Sequence, residues 1–494
     1  MKRILFISSL ILLAAVRVSG AGTITSEQAR LVGDGVTLNT DAFQKAIDRL
    51  SDKGGGTLVL LPGRYLTGTV ELKSGVELRL ERGAELLGST NPADYADKDF
   101  PGGTHRKPLI DLELALITAN GARNVKLSGD GVINGQGRAL ALHIDSLHYK
   151  GIAVSPDYDD ISHRPNHRPV LLSLRYCSNV EISGLRFTAS SIFALEFYKC
   201  EDVNLHHLDV LNRAYWNNDG IDIIDCKRME VAFCHVNSAD DGICLNTWDP
   251  DDTTDGIYIH DCTVESSASA LKCGTPSYGC FQNLHFARIK VKNTFRSAIA
   301  LEAVDGGSLK NILAEDIEAF NVGNPIFIRL GRRNGNRTAS VDGITIRRMY
   351  CETAFERPDG GYDIRGPITN TMINPIPSSI TGIPGHKVRN VNIEDVILVY
   401  PGGASKGLRY IPTWDIARVP EFENHYPDYD MFGELPAYGF FVRHAEGIRF
   451  RNVNLKLKED DFRPAFVLSD TENVSFDSIS YPLGKTEGQI YMDK

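Results

Sequence analysis

The chain has 494 residues, 42% hydrophobic and 23% charged, the balance of a globular protein with a large core. Its net charge of −10 excludes the basic footprint of a nucleic-acid binder and offers an anionic membrane surface nothing to attract. After the first residues, no run approaches the roughly eighteen apolar positions of a membrane-spanning helix, so neither nucleic acid nor membrane is expected as a partner.

Met1-Lys2-Arg3, the largely apolar stretch from Ile4 to Val16 and the small residues around Val18-Ser19-Gly20-Ala21 predict a signal peptide over residues 1–20. The protein is therefore expected to be secreted or periplasmic, with residues 21–494 as one domain. Asn39-Thr40-Asp41 is placed to cap a helix from Ala42 to Leu50, whose Phe43, Ala46, Ile47 and Leu50 share one face. Such a helix would cover strand edges that otherwise template aggregation. Gly54-Gly55-Gly56 ends it, and Thr57-Leu58-Val59-Leu60-Leu61-Pro62 opens the first strand-bearing coil.

From there a short strand signal recurs along the chain. Asn124-Val125-Lys126-Leu127, Asn179-Val180-Glu181-Ile182, Val203-Asn204-Leu205, Met229-Glu230-Val231, Ile257-Tyr258-Ile259, Leu284-His285-Phe286 and Ile312-Leu313-Ala314 alternate apolar with outward residues. Between positions 203 and 312 the intervals are 26, 28, 27 and 28 residues. Repeats of that length, built of period-two strands with no helical stretch between them, predict an all-β fold: a right-handed parallel β-helix with an N-terminal capping helix. The longer intervals that follow, to Ile344, Val391 and Ile448, read as coils carrying loop insertions, notably at 356–386 and 402–440. The second of these holds Trp414, Tyr426, Tyr429 and Phe432. Nine cysteines leave at least one unpaired. Cys177, Cys200, Cys226 and Cys262 fall near the starts of repeats, where free, stacked cysteines pack well. A closed solenoid of this kind is expected to be a monomer.

Two carboxylate clusters lie about one repeat apart: Trp216-Asn217-Asn218-Asp219-Gly220-Ile221-Asp222 and Ser238-Ala239-Asp240-Asp241-Gly242-Ile243. Several acids facing one cleft suit glycosidic bond cleavage, in which a protonated carboxyl gives a proton to the leaving oxygen while an ionised one activates water. Packed together they cannot all stay ionised, so one carboxyl is expected to have a raised pKa. Asp249-Pro250-Asp251-Asp252-Thr253-Thr254-Asp255-Gly256 lacks the trailing glutamate of a calcium loop and reads as a solvated turn. No metal or other cofactor is expected.

The mature sequence resembles glycoside hydrolase family 28, the polygalacturonase family of the pectin-lyase-like superfamily. The resemblance is carried by the segment Asp34 to Asp48, by Gly54-Gly55-Gly56-Thr57, by Pro62-Gly63-Arg64-Tyr65 and by Ser128-Gly129-Asp130-Gly131 through Gly137. Asn217-Asn218-Asp219 is similar to the family's Asn-Thr-Asp segment, and Ala239-Asp240-Asp241 to its Gly-Asp-Asp segment. The resemblance implies that Asp240 is the general acid and that Asp219 and Asp241 hold and deprotonate the attacking water in one inverting displacement. Two family segments differ. Ala268-Ser269-Ala270 stands where the family has Gly-His-Gly, and Ala300-Leu301-Glu302 stands where it has Arg-Ile-Lys, the segment associated with a galacturonate carboxylate.

Stacking the coils on Ile221, Ile243, Leu271, Leu301 and Ile328 predicts one outward column of Asp222, Cys244, Lys272, Glu302 and Arg329, with Glu196 one coil earlier and about 4.8 Å between coils. Asn217, Asp222, Ser269, Lys272, Glu302 and Arg329 are thus expected to bind substrate. That substrate would be a plant or algal cell-wall glycan whose sugar at the cleavage point is neutral or differently charged from galacturonate, such as a galactoside or a rhamnogalacturonan unit. The alternatives are a β-eliminating lyase with Lys272 as base, and a non-catalytic carbohydrate-binding β-helix.

Overall fold

A computed structural model describes residues 22–95, 114–152, 168–334, 337, 339–359, 376–482 and 490–492. The predicted signal peptide lies outside the described residues, as does the stretch 360–375 within the predicted loop at 356–386. The chain winds into a right-handed parallel β-helix in which each strand pairs, in parallel, with its counterpart one coil further on. One coil consists of Leu195–Tyr198, Glu201–His206 and Asp209–Asn212; the next of Ile221–Ile224, Lys227–Ala232 and His235–Ser238; the third of Ile243–Thr247, Thr253–His260 and Thr263–Ser266.

The middle strands keep the register that their alternation predicts. Val125 pairs with Val180, then Val203, Met229, Ile257, Leu284, Ile312, Ile344 and Val391 follow in one ladder. All of these apolar side chains point inward and are buried. Each such side chain contributes roughly 1.5–3 kcal/mol on burial, and a slip by one residue would turn the whole inward set to solvent. The residue just ahead of each of these inward side chains turns the chain with a left-handed backbone. Asn179, Asp202, Asn283, Asn311 and Asn390 all sit there at φ between 53° and 56°. Asn and Asp tolerate that region better than most residues. Their amides also chain from coil to coil, Asn311 Nδ2 donating to Asn283 Oδ1 at 2.6 Å and Asn390 Nδ2 to Asp342 Oδ1 at 2.7 Å.

Helix α1 (Thr40–Asp52) buries Phe43, Ala46, Ile47 and Leu50 over the first coils, as expected. Asn39 does not cap it with its side chain. Instead Asn39 Oδ1 accepts from the Val32 amide at 2.7 Å and Nδ2 donates to the carbonyls of Val32, Thr37 and Leu66, which fastens the helix start to the barrel. Two elements were not foreseen. Strand Thr23–Thr25 pairs with Thr57–Val59 and so precedes the predicted first strand. Helix α2 (Gly137–Tyr149) follows Gln136, whose left-handed backbone and uncapping side chain leave no sequence signal for a helix start. All nine cysteines are free, and Cys200 and Cys226 stack through a Cys200 amide to Cys226 Sγ contact of 3.4 Å. Among the described residues no helix is long and apolar enough to cross a membrane.

Candidate active site

Asp219 and Asp241 lie just ahead of two successive strands of the same stack, Ile221–Ile224 and Ile243–Thr247, which pair Ile221 to Ile243. The intervening glycines are what let these coils approach. A Cβ on Gly220 would lie 2.5 Å from the Gly242 carbonyl oxygen, and one on Gly242 would lie 2.4 Å from Val264 Cγ1 and 2.7 Å from the Ala270 carbonyl oxygen. The Gly220 amide donates to the Asp241 carbonyl at 2.9 Å and the Asp240 amide to that of Asn218 at 3.3 Å. Asn218 knits the turn itself: its Oδ1 accepts from the amides of Ala214 and Tyr215, and its Nδ2 donates to the carbonyls of Ser190 and Ile192. Ser238 and Ser266 hydroxyls both donate to the Asp240 carbonyl, at 2.8 and 2.6 Å.

This scaffold brings one carboxylate oxygen from each of Asp219, Asp240 and Asp241 within 4.8 Å of the others, and all three residues are buried. Their surroundings differ. Asp241 Oδ2 accepts from the Lys272 ammonium at 2.8 Å and its Oδ1 from the Ser269 amide at 3.0 Å, so among the described residues it alone of the three has a cation in an ion pair with it. Burial, reinforced by the Asp241 carboxylate, lifts the Asp240 carboxyl to about 6, against the opposing pull of Arg296 and Lys272. Burial and then the neighbouring Asp240, Asp222 and Asp241 push Asp219 well above the ordinary carboxyl range. Asp222 is pushed up likewise by burial and then by Asp241, and neither of its oxygens has a hydrogen-bond partner among the described residues. Burial works to lower the Lys272 pKa, but Asp241, Tyr426 and Glu302 together keep it well above its ordinary value. The three clustered oxygens are hard ligands that could share a divalent cation; the Lys272 ammonium already supplies positive charge at Asp241.

The predicted outward column is only partly right. Glu196, Asp222, Cys244 and Lys272 do stack in register. Leu271, however, pairs with Ile299, and Lys272 with Ala300, so the following coil sits two residues from the predicted alignment. Ile299 and Leu301 are both apolar and inward, and alternation alone cannot choose between them. Phe327 continues the column beyond Ala300. Glu302 and Arg329 do pair with each other, one step along, but the continuous ladder from Lys272 through Glu302 to Arg329 does not form.

The remaining predicted binding residues are placed as follows. Ser269 contributes its amide to Asp241. Asn217, at φ 53°, has Oδ1 3.2 Å from Arg168 Nη2. Glu302 is buried beside Thr275, whose hydroxyl donates to it at 3.3 Å, and burial pushes its carboxyl up to about 8. Arg329 is buried and donates to the carbonyls of Gly382 at 2.9 Å and Glu421 at 2.7 Å, holding the 402–440 loop to the coils. The acidic segment 249–256, expected as a solvated turn, becomes strand from Thr253 onward, and the residues before it are tied down by cations, with Asp249 Oδ2 2.6 Å from Lys199 Nζ and Asp252 Oδ1 3.0 Å from Lys227 Nζ.

Two residues at the site, Arg296 and Asp428, carried little or no sequence signal, whereas Tyr426 is one of the loop aromatics singled out from the sequence. Arg296 is buried, and its Nε lies 3.1 Å from Asp428 Oδ2; a lone arginine just ahead of the strand segment Ala298-Ile299-Ala300-Leu301 was its only trace. Asp428 and Tyr426 arrive on the 402–440 loop. Tyr426 places its hydroxyl 3.3 Å from Lys272 Nζ, and burial raises the Asp428 carboxyl to about 6 even though Arg296 opposes the rise. Of the loop's other aromatics, Tyr429 and Phe432 are packed inside, whereas Trp414 is 63% exposed and lies under Arg418.

The family model for glycosyl hydrolases family 28 matches residues 102–353, just over half of the chain. A Vitis vinifera protein described as a probable polygalacturonase is 27% identical over 330 residues, covering 64% of this chain and 59% of its own. An endo-polygalacturonase of Pectobacterium parmentieri is 21% identical over 362 residues, covering 72% of this chain and 87% of its own. The chain thus spans about six-tenths of the length of the first of these relatives. Among solved structures, the Yersinia enterocolitica family 28 exopolygalacturonase superposes with a TM-score of 0.64 at 17% identity, covering 93% of this chain and 79% of its own. PfbA, a surface adhesin of Streptococcus pneumoniae, superposes with a TM-score of 0.53 at 13% identity, covering 94% of this chain and 93% of its own. Both likenesses bear on the fold, which different functions share.

Proposed function

The chain belongs to glycosyl hydrolases family 28, and on that premise we propose that it is an exported glycosidase that hydrolyses a pectin-related glycan. The observation that carries this reading is the meeting of Asp219, Asp240 and Asp241 within 4.8 Å in a buried setting. Asp240, with its carboxyl raised to about 6, gives its proton to the glycosidic oxygen as the bond from that oxygen to the anomeric carbon breaks. Asp219 orients the attacking water, and Asp241 takes its proton as the water oxygen bonds to the anomeric carbon. The Lys272 ammonium and the Ser269 amide hold Asp241 in place for this step.

Export is supported by the charged, apolar and small-residue pattern of residues 1–20. The buried cluster of Ala300, Phe327, Ile376 and Tyr429 fills the column beyond Lys272, which supports cleavage from a chain end. The uncharged Ala300, paired beside Lys272 on the next coil, supports a subsite that grips an acidic sugar poorly. A β-eliminating reaction is less well supported, because its candidate base, Lys272, is committed to Asp241.

The test is reducing-sugar release from a panel of pectic, rhamnogalacturonan and galactan oligosaccharides, with the anomer of the first product read by NMR. Wild type should turn over at least one substrate with inversion, and Asp240→Asn should lose about 10³-fold in kcat. Unsaturated products absorbing in the ultraviolet would make the protein a lyase. Glycan binding without turnover by either protein would make it a binding module.

A further inference from the structure

Lys272 and Arg296 lie in the electrostatic surroundings of the three acids, Arg329 and Arg333 lie further along the coils, and the protein itself engages each of these four. Lys272 is paired with Asp241 at 2.8 Å. Arg296 forms an ion pair with Asp428 through Nε at 3.1 Å, by proximity rather than by an aligned hydrogen bond. Arg333 forks onto Asp305 at 3.0 and 2.8 Å. Arg329 is turned onto the backbone carbonyls of Gly382 and Glu421. Against Lys272 and Arg296 stand six carboxyls in the same electrostatic neighbourhood: Asp219, Asp222, Asp240, Asp241, Glu302 and Asp428.

Asp428 differs from the other five in origin. The coils carry the rest, whereas Asp428 is delivered by the 402–440 loop, which Arg329 and Arg443 fasten through Glu421. It meets Arg296 where the coil's own next column positions, Ala300 and Phe327, offer no charge. A free uronate entering this site would have to compete with Asp428 for Arg296, since Lys272 is already paired with Asp241. A buried anion without its own counter-ion is strongly disfavoured.

We propose that Asp428 is a specificity determinant, a built-in carboxylate that occupies the Arg296 guanidinium so that the cleft takes an uncharged glycosyl residue and turns away a free uronate. The proposal rests on the carbohydrate reading of this same site. Two substrates share the required chemistry: a neutral hexose or deoxyhexose, and a methyl-esterified uronate.

Two matched comparisons test it, read by calorimetric binding to the full chain carrying Asp240→Asn. One pair is trigalacturonate and its fully methyl-esterified form; the other is trigalacturonate and a neutral galactose trisaccharide. In at least one pair the uncharged member should bind about tenfold or more tightly, and which pair it is identifies the source of the neutral residue. Adding Asp428→Asn should narrow that ratio about tenfold by freeing Arg296 for the acid. Equal or tighter binding of the acid, no binding by any member, or a ratio unmoved by Asp428→Asn in a folded protein would overturn the proposal. Wild-type turnover is scored separately. Selective binding without hydrolysis removes the hydrolase reading and keeps charge selection, whereas efficient hydrolysis of free polygalacturonate does the reverse.

Discussion

Lys272 Nζ lies 2.8 Å from Asp241 Oδ2, with the two side chains only 3% and 7% exposed. The ion pair spans adjacent coils and is bordered by Asp219, Asp240 and Asp222, so it fixes which of several crowded acids has a cationic partner. Its geometry, rather than the presence of a carboxylate as such, sets Asp241 apart from its neighbours.

Lys272→Met should expose the value of that pair. Removing one partner leaves Asp241 buried with only the Ser269 amide, a change that typically costs about 3–5 kcal/mol. The denaturant midpoint at pH 7 is expected to fall accordingly, and kcat with it, while Lys272→Arg should recover most of the stability. A Lys272→Met protein as stable as wild type would show that the pair contributes nothing net.

The rate should depend on pH through Asp240. A general acid works only while protonated, and the carboxyl is raised to about 6, so kcat/KM is expected to decline as pH rises through that region. Because the three acids titrate together, the observed midpoint belongs to the cluster. A rate that rises across the same range would assign the proton donor elsewhere.

Glu302 offers a stability readout separate from catalysis. Its folded carboxyl is raised from 4.5 to about 8 by burial, so between those values the folded state holds a proton that the unfolded state has released. Stability is therefore fully present below the unfolded pKa and is lost as pH rises toward the folded one, by up to about 1.4 kcal/mol per pH unit. Glu302→Gln cannot lose that proton. Urea midpoints for wild type and variant should diverge from pH 5 to pH 7.5, with the variant the more stable at the upper end; parallel curves would refute the buried-carboxyl account.

Much of the fold was legible because a β-helix writes its architecture locally. The inward apolar positions from Val125 to Val391 and the helix face of Phe43, Ala46, Ile47 and Leu50 are all set by residues within one strand or helix. The meeting of Asp219 with Asp240 and Asp241 was legible too, since they precede adjacent strands of one stack and Gly220 and Gly242 allow those coils to close. Helix α2 was missed because Gln136 gives it no capping signal.

The sequence by itself determined the coil repeat, the inward face and the pair of coils that present the acids, because side-chain alternation and corner conformations are local properties. The tertiary structure decided the rest. A two-residue shift preserves the inward set, so only packing could place Ala300 rather than Glu302 beside Lys272. The contacts of Tyr426 with Lys272 and of Asp428 with Arg296 span well over a hundred residues of chain, and no local pattern encodes where an inserted loop docks.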